Sequence, residues 1–242
     1  MFTYNKEELA KFMQKILDPK ALSRFHLFES LSEAALSEIV SNMRFESWKK
    51  GYSFPCFTTS KPYFYILVRG RVKVSRQHDS TGRELTLFVH GVGDGFNILN
   101  MIDGGGTEFF VTALDDVDVL FAPISLWIDW LDRFPSLRRK MAEIASKQIK
   151  KLADLSSELA LEDTMARLIH LLVKYLNDDE YGVNLIQNLP QEELANMIGT
   201  VRPVVARLLG ELKREGLIDN QGGVIHINNL NKLLDKAESH LK

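Results

Sequence analysis

Two arginines, Arg202 and Arg207, stand five residues apart near the start of an amphipathic stretch. A guanidinium can donate two parallel hydrogen bonds to O6 and N7 of guanine, so this pair suits base readout in a DNA major groove. Thr200, Pro203, Val204, Ala206 and Lys213 share the outward side of the same segment and join the candidate DNA-contacting set. From 202 to 214, four basic residues (Arg202, Arg207, Lys213, Arg214) face one acid (Glu211), a local net of +3 in a chain whose formal net charge is −2. The alternative is a helical hairpin whose arginines only solvate it; the local charge reversal favours DNA. No HExxH, GxSxG or Walker sequence competes, so no catalytic residue is assigned and the chain does not read as an enzyme.

The elements that must position these arginines are legible around them. Leu194, Ala195 and Ile198 give a first helix its inward face, and Gly199 suits the left-handed residue that ends it. Thr200 is placed to cap the next helix, and Pro203 fits a first turn, where its missing N–H costs nothing. Val205, Leu208, Leu209 and Leu212 face inward on that second helix, which runs to about Glu215. After Gly216-Leu217-Ile218, the stretch from Asp219 to Ile227 reads as a hairpin, either a phosphate-touching wing or a purely structural one.

The whole chain has 242 residues, enough for two domains, and its 45% hydrophobic and 26% charged composition is that of a folded protein. Near-neutral net charge gives no global field for nucleic acid or membrane, so any basic surface is local. Apolar runs such as 63–68 are far too short to span a bilayer, and the first ten residues carry Lys6, Glu7 and Glu8 without an apolar core, so a cytoplasmic location with no membrane partner is expected. One cysteine, Cys56, excludes an internal disulfide and an all-cysteine metal or iron-sulfur site within one chain.

From Phe45 to Pro123, short β-rich runs alternate with Gly or polar clusters every 8 to 12 residues, as in a β-barrel or sandwich. A short helix precedes them, with Leu31, Leu36, Ile39 and Met43 at helical spacing and Ser32 as its N-cap. After Pro135 the period becomes helical: Met141, Ala145, Gln148, Leu152, Leu155 and Leu159 form a 4-3-4-3-4 stripe. That stripe is either a dimer seam or the inner face of a helix covering the β-domain. Seven basic residues against Glu143 between Arg133 and Lys151 read as a solvated face. A further helix spans about 161–177. The division expected is 1–132 for amino-terminal helices and β-roll, 133–160 for a long dimerisation helix, and 161–242 for a winged helix-turn-helix, an α+β chain.

This pattern resembles the cyclic-AMP receptor protein/FNR (Crp/Fnr) family of bacterial transcription regulators over nearly its whole length. The resemblance rests on Gln191-Glu192-Glu193-Leu194-Ala195 through Gly199, then Arg202 and Arg207, then Gly216-Leu217-Ile218. Upstream, Gly51, the run 63–70, Val72, Val74, Gly82 and Gly93-Asp94 look like the family's β-roll, a cyclic-nucleotide-binding-like jelly roll. It implies a homodimer on a palindromic double-stranded operator, contact with RNA polymerase, and control by a small-molecule effector. Pro203 stands where relatives carry an acidic residue that reads cytosine, so their target sequences do not transfer.

The resemblance also locates the effector pocket, at Phe88, His90, Phe96, Asn97, Ile98, Leu99, Thr107 and Glu108. Members that bind cyclic AMP use a Phe-Gly-Glu stretch and an Arg-Ser pair; here Ile98 falls at the carboxylate position and Thr107-Glu108 at the pair. Without an arginine for the phosphate, cyclic AMP loses its strongest contact, which argues against that ligand. The iron-sulfur branch needs a cysteine cluster, which Cys56 alone does not supply. A haem-binding, gas-sensing branch (nitric oxide or carbon monoxide) stays open, with His90 as ligand candidate and Met101 or His26 behind it. A cyclic-nucleotide-binding module without DNA binding is the rival from another class, but it has no need of residues 189–227.

Overall fold

The structure, a computed structural model, describes residues 18–56, 62–98, 109–176, 185–221 and 224–239. Two short helices open it, α1 (Pro19–Leu22) and α2 (Glu33–Ser41), and the Ser32 side chain caps α2 by accepting from the Ala35 N–H. Eight strands follow: β1 (Arg44–Trp48), β2 (Ser53–Pro55), β3 (Tyr63–Arg69), β4 (Val72–Gln77), β5 (Glu84–His90), β6 (Gly95–Phe96), β7 (Phe110–Ala113) and β8 (Val117–Pro123). They pair antiparallel in two four-stranded sheets, ordered β1-β8-β3-β6 and β2-β7-β4-β5. The expected β-roll is this double sheet.

Alternation along the strands decides which face packs where. On β3, Leu67 joins Trp48, Phe88, Phe96, Val111 and Val119 in the core between the sheets. Phe64 and Ile66 point the other way, into a second core against helices. Those helices are α1, α2, α3 (Ile124–Arg133) and the start of α4 (Pro135–Leu161). Trp127 and Trp130 of α3 lie buried there at 0% and 1% exposure, each burial contributing on the order of 2–3 kcal/mol. The sequence reading ends its last strand at Phe121 and has no helix between there and Pro135; α3 is an addition. Its apolar positions Ile124, Trp127 and Trp130 sit at helical spacing, but a ten-residue helix bounded by prolines gives that signal little length.

The carboxyl-terminal part comprises α5 (Thr164–Leu176), α6 (Gln191–Met197), α7 (Arg202–Arg214), the hairpin of β9 (Ile218–Gln221) and β10 (Val224–Ile227), and α8 (Leu230–Glu238). Its core reaches out of the domain: Val89 and Leu114 of the β-roll share one apolar cluster with Leu168, Leu172, Leu185 and Met197. Polar contacts fasten the same junction. Lys73, 4% exposed, bridges Glu84 at 2.9 Å and Glu193 of α6 at 2.7 Å, and the Asn196 amide donates to Glu84. Arg71 pairs with Asp115 and donates to the carbonyls of Leu185 and Gln187. The helix-turn-helix is thus docked on its own β-roll.

Candidate nucleic-acid interface and effector cavity

The turn between α6 and α7 is built by Gly199 at φ +66°, where any Cβ would lie 2.6 Å from the Leu159 side chain. The left-handed backbone is what favours glycine there, since the Leu159 side chain could shift. The reversal carries the Thr200 N–H back onto the Ala195 carbonyl at 2.9 Å. Thr200 therefore does not cap α7: the N-cap is the extended Val201, with no side-chain cap bond, and Pro203 sits in the first turn. The helix starts one residue later than expected, at a valine that has no group to cap with.

Along α7 the inward set is Val205, Leu208, Leu209 and Leu212, all buried, as the spacing predicts. Arg202, Pro203, Ala206, Arg207, Gly210, Lys213 and Arg214 are exposed. At about 100° per residue they fall within one arc of about 140°. Val204 lies outside that arc, half-buried against the domain core, and is withdrawn from the contact set. Arg202 and Arg207 stand about 7.5 Å apart along the axis, and among the described residues neither has an ion-pair partner. Lys213 approaches Asp219 of β9 at 3.7 Å. This outward basic arc, with Arg202 and Arg207 unpaired among the described residues, is the nucleic-acid candidate.

The predicted effector residues separate. Phe88 and His90 line a cavity of about 270 Å³ between β5, the turn 93–95, α4 and the end of α5. Phe96 and Ile98 do not: Phe96 is fully buried between the sheets, stacked on Tyr65 at 5.1 Å, and Ile98 belongs to the helix-facing core. Asn97 takes φ +75° and donates to the Tyr63 carbonyl at 2.7 Å. Its left-handed backbone suits the place where cyclic-AMP-binding members carry glycine. Leu99, Met101, Thr107 and Glu108 lie outside the described residues.

The sequence reading missed most of the cavity's polar wall, which is Lys147, Gln148, Lys150, Lys151 and Asp154 of α4 with Lys174 and Tyr175 of α5. The signal was present as the basic run of α4, read there as solvated. Gln148 turns toward the cavity because the whole 4-3-4-3-4 stripe turns toward its own chain. Met141 is 4% exposed in the helix-facing core, Ala145 packs beside it, Leu152 packs on the sheets and Leu159 lies over Gly199. Within the chain the stripe is the covering face of an amphipathic helix, Met141 buried and the other five residues half-buried. About 100° further round, Ala142, Ser146, Ile149, Ala153, Ser156 and Ala160 are all exposed at the same spacing, with Ile149 at 68%.

His90 is enclosed beside Phe88 and Phe96, with Nδ1 3.7 Å from Asp94, and His26 is engaged by Glu29 and Glu143. A cavity of about 270 Å³ lies below the range of about 300–1,000 Å³ for drug-sized ligands, and a tetrapyrrole is larger still. The cavity beside His90 is therefore smaller than a tetrapyrrole. Among the described residues, no group of three or more His, Cys, Asp or Glu is placed to hold a metal ion. Burial pushes the Cys56 thiol up to about 12, which leaves it protonated rather than a reactive thiolate at neutral pH. No described helix is long and apolar enough to cross a membrane.

Residues 166–236 match the Crp-like helix-turn-helix domain. Over 222 residues the chain is 21% identical to the CRP-like cAMP-activated global transcriptional regulator of Mycobacterium tuberculosis, covering 89% of this chain and 98% of that protein. Over 209 residues it is 28% identical to the global nitrogen regulator of Nostoc sp., covering 84% and 90% respectively. A CooA mutant from Carboxydothermus hydrogenoformans shares the fold with a TM-score of 0.72 at 24% identity, over 83% of this chain and 90% of that one. A β-roll followed by a helix-turn-helix with its basic helix outward defines a DNA-binding transcription regulator. Residues 166–236 thus carry a Crp-like helix-turn-helix domain, and over most of its length the chain is similar to transcription regulators of the Crp/Fnr type.

Proposed function

We propose that this regulator acts as a homodimer that reads a palindromic operator through α7 and responds to an effector held between β-roll and α4. The carrying observation is the outward arc of α7, where Arg202 and Arg207 are exposed and unspent while every large apolar residue of that helix is turned inward. Two copies of α7 in a two-fold dimer present their arginines to half-sites about 34 Å apart. The dimer contact in this proposal is the exposed face of α4 through Ile149, continued by Ala153, Ser156 and Ala160. Small residues flanking Ile149 let two helices approach closely.

Cyclic AMP is not the effector in this proposal. Ile98, standing where relatives that bind it place a carboxylate, is sealed in an apolar core. The Mycobacterium tuberculosis relative is cAMP-activated, so the two proteins would share a scaffold and differ in signal.

The test is selection of an operator from random duplexes by the full-length chain, then sedimentation and binding at fixed salt. A dimer on a palindrome at least about 10³-fold tighter than on random DNA is expected. A persistent monomer binding one half-site with full affinity overturns the proposal. Calorimetry with cyclic AMP should give no tight binding; micromolar binding that raises operator affinity would restore it as effector.

A further inference from the structure

The basic run of α4 divides in two. Its first part is paired: Arg138 with Asp132, Arg139 with Glu143, and Lys140 with Glu29 and Glu143. Lys150 and Lys151, further along, are not spent in this way. Among the described residues, Lys150 and Lys151 have no carboxylate within 4.0 Å, and both reach the 270 Å³ cavity. Lys174 arrives from α5 on the other side, its ammonium 5.9 Å from the Tyr175 ring; Glu158 of α4 interacts with it electrostatically, but no carboxylate lies within 4.0 Å of it among the described residues. Three ammonium groups from two helices of two domains therefore surround one cavity.

The acids on its wall do not cancel them. Asp94 already accepts the Gly91 N–H at 2.9 Å and faces His90, which leaves Asp154 as the other carboxylate of the lining. Below the charges, Leu27, Phe88 and Ile144 make an apolar floor. Like charges gathered at a partly enclosed site repel one another, and a ligand with two negative charges relieves that repulsion while accepting charge-assisted hydrogen bonds.

We infer that this cavity binds a small organic dianion, a phosphate monoester or a dicarboxylate, its apolar body on the Phe88 floor and its charged ends on Lys150, Lys151 and Lys174. The inference rests on the reading of this cavity as the effector site. Because Lys174 belongs to the carboxyl-terminal part and the other two to α4, the ligand ties the docked helix-turn-helix to the long helix. A ligand that prefers one domain arrangement shifts operator affinity by that preference.

The test is calorimetry of the full-length protein at fixed low ionic strength, with phenyl phosphate, glutarate and, as a neutral control, benzyl alcohol. One equivalent of at least one dianion should bind per chain while benzyl alcohol does not, and the two dianions distinguish phosphate from carboxylate. The double variant Lys150→Gln/Lys174→Gln should bind about tenfold more weakly or worse, and Lys232→Gln, an exposed lysine off the cavity, should bind as wild type. All three lysines are exposed at the rim, and an unchanged melting curve checks that the variant folds. If neither dianion binds, or the double variant binds as well as wild type, the inference fails. If the dianion binds with this lysine dependence but operator affinity does not move, the anion site stands and the effector reading falls.

Discussion

Helices α4 and α7 are both amphipathic and both basic, yet the sequence orients one and leaves two orientations open for the other. On α7, residues 205, 208, 209 and 212 are buried and the arginines exposed, as their spacing predicts. On α4, the apolar stripe faces the chain's own β-roll and helix-turn-helix, and the exposed heptad face is small residues around Ile149. The difference lies in what each helix packs on. The partners of α7 come from its own small domain, so one apolar arc has one place to go. Helix α4 serves sheets, amino-terminal helices and carboxyl-terminal domain in turn, and its hydrophobic period does not say which surface is intramolecular.

Truncation separates the two faces of α4 most sharply. Met141→Ala should cost about 2–5 kcal/mol of unfolding free energy at any protein concentration, because it opens a cavity in the helix-facing core. Ile149→Arg should leave the monomer fold within about 0.5 kcal/mol, as an exposed position allows, while weakening the proposed dimer. Denaturant melts with sedimentation check both. If Met141→Ala weakens only the dimer, the stripe is the seam after all.

Breaking the junction between domains has the next largest effect. Lys73→Met keeps the volume but leaves Glu84 and Glu193 facing without their cation. A fully buried pair broken this way costs about 3–5 kcal/mol; the carboxylates here are 16% and 21% exposed, so about 2–3 is expected after screening. The cost falls on docking, so calorimetry should show the carboxyl-terminal part melting in a separate, earlier transition. A single unshifted transition would mean the apolar contacts of Val89 and Leu114 hold the domains together without the ions.

This junction also marks where sequence reading ends. The two sheets, the Ser32 cap, the Gly199 turn and the inward face of α7 follow from local pattern, and all are present. Lys73 meets Glu193 across 120 positions, and Arg71 meets the Leu185 carbonyl across 114. No periodicity connects such residues, and a lone lysine inside a strand carries no sign that it will be buried. The cavity wall was misjudged for the same reason. Lys150 and Lys151 read as solvated until α5 brings Lys174 opposite them.

On the DNA side, the arginines and Lys213 should part company. Arg202→Ala or Arg207→Ala should each cost about 1–3 kcal/mol on the preferred operator and relax specificity at one position per half-site. Lys213→Ala should weaken all sequences alike and lower the salt dependence by about one charge. Anisotropy titrations on operator and random duplexes across a salt series measure both. Arginine variants that keep the full specificity ratio would place readout elsewhere than the exposed arc.

The smallest effect sharpens the contrast at one position. Gly210 lies mid-helix on α7, within the outward arc, and a Cβ built there meets nothing within 4 Å. Glycine in a helix interior costs about 1 kcal/mol relative to alanine. The folded chain itself therefore gains nothing from a glycine here, and Gly210→Ala should raise the stability of the carboxyl-terminal part by about 0.5–1 kcal/mol. The position lies one turn beyond Ala206 and Arg207, toward the end of the helix that would meet the phosphate backbone once the arginines are in the groove. If that backbone approaches as closely as the bare Cα permits, the stabilised variant should bind every duplex more weakly, with its preference among sequences unchanged. Thermal melts and operator titrations on one preparation read both quantities. Higher stability with undiminished DNA affinity would show that Gly210 faces open solvent in the complex, and would narrow the contact surface to the first two turns of α7.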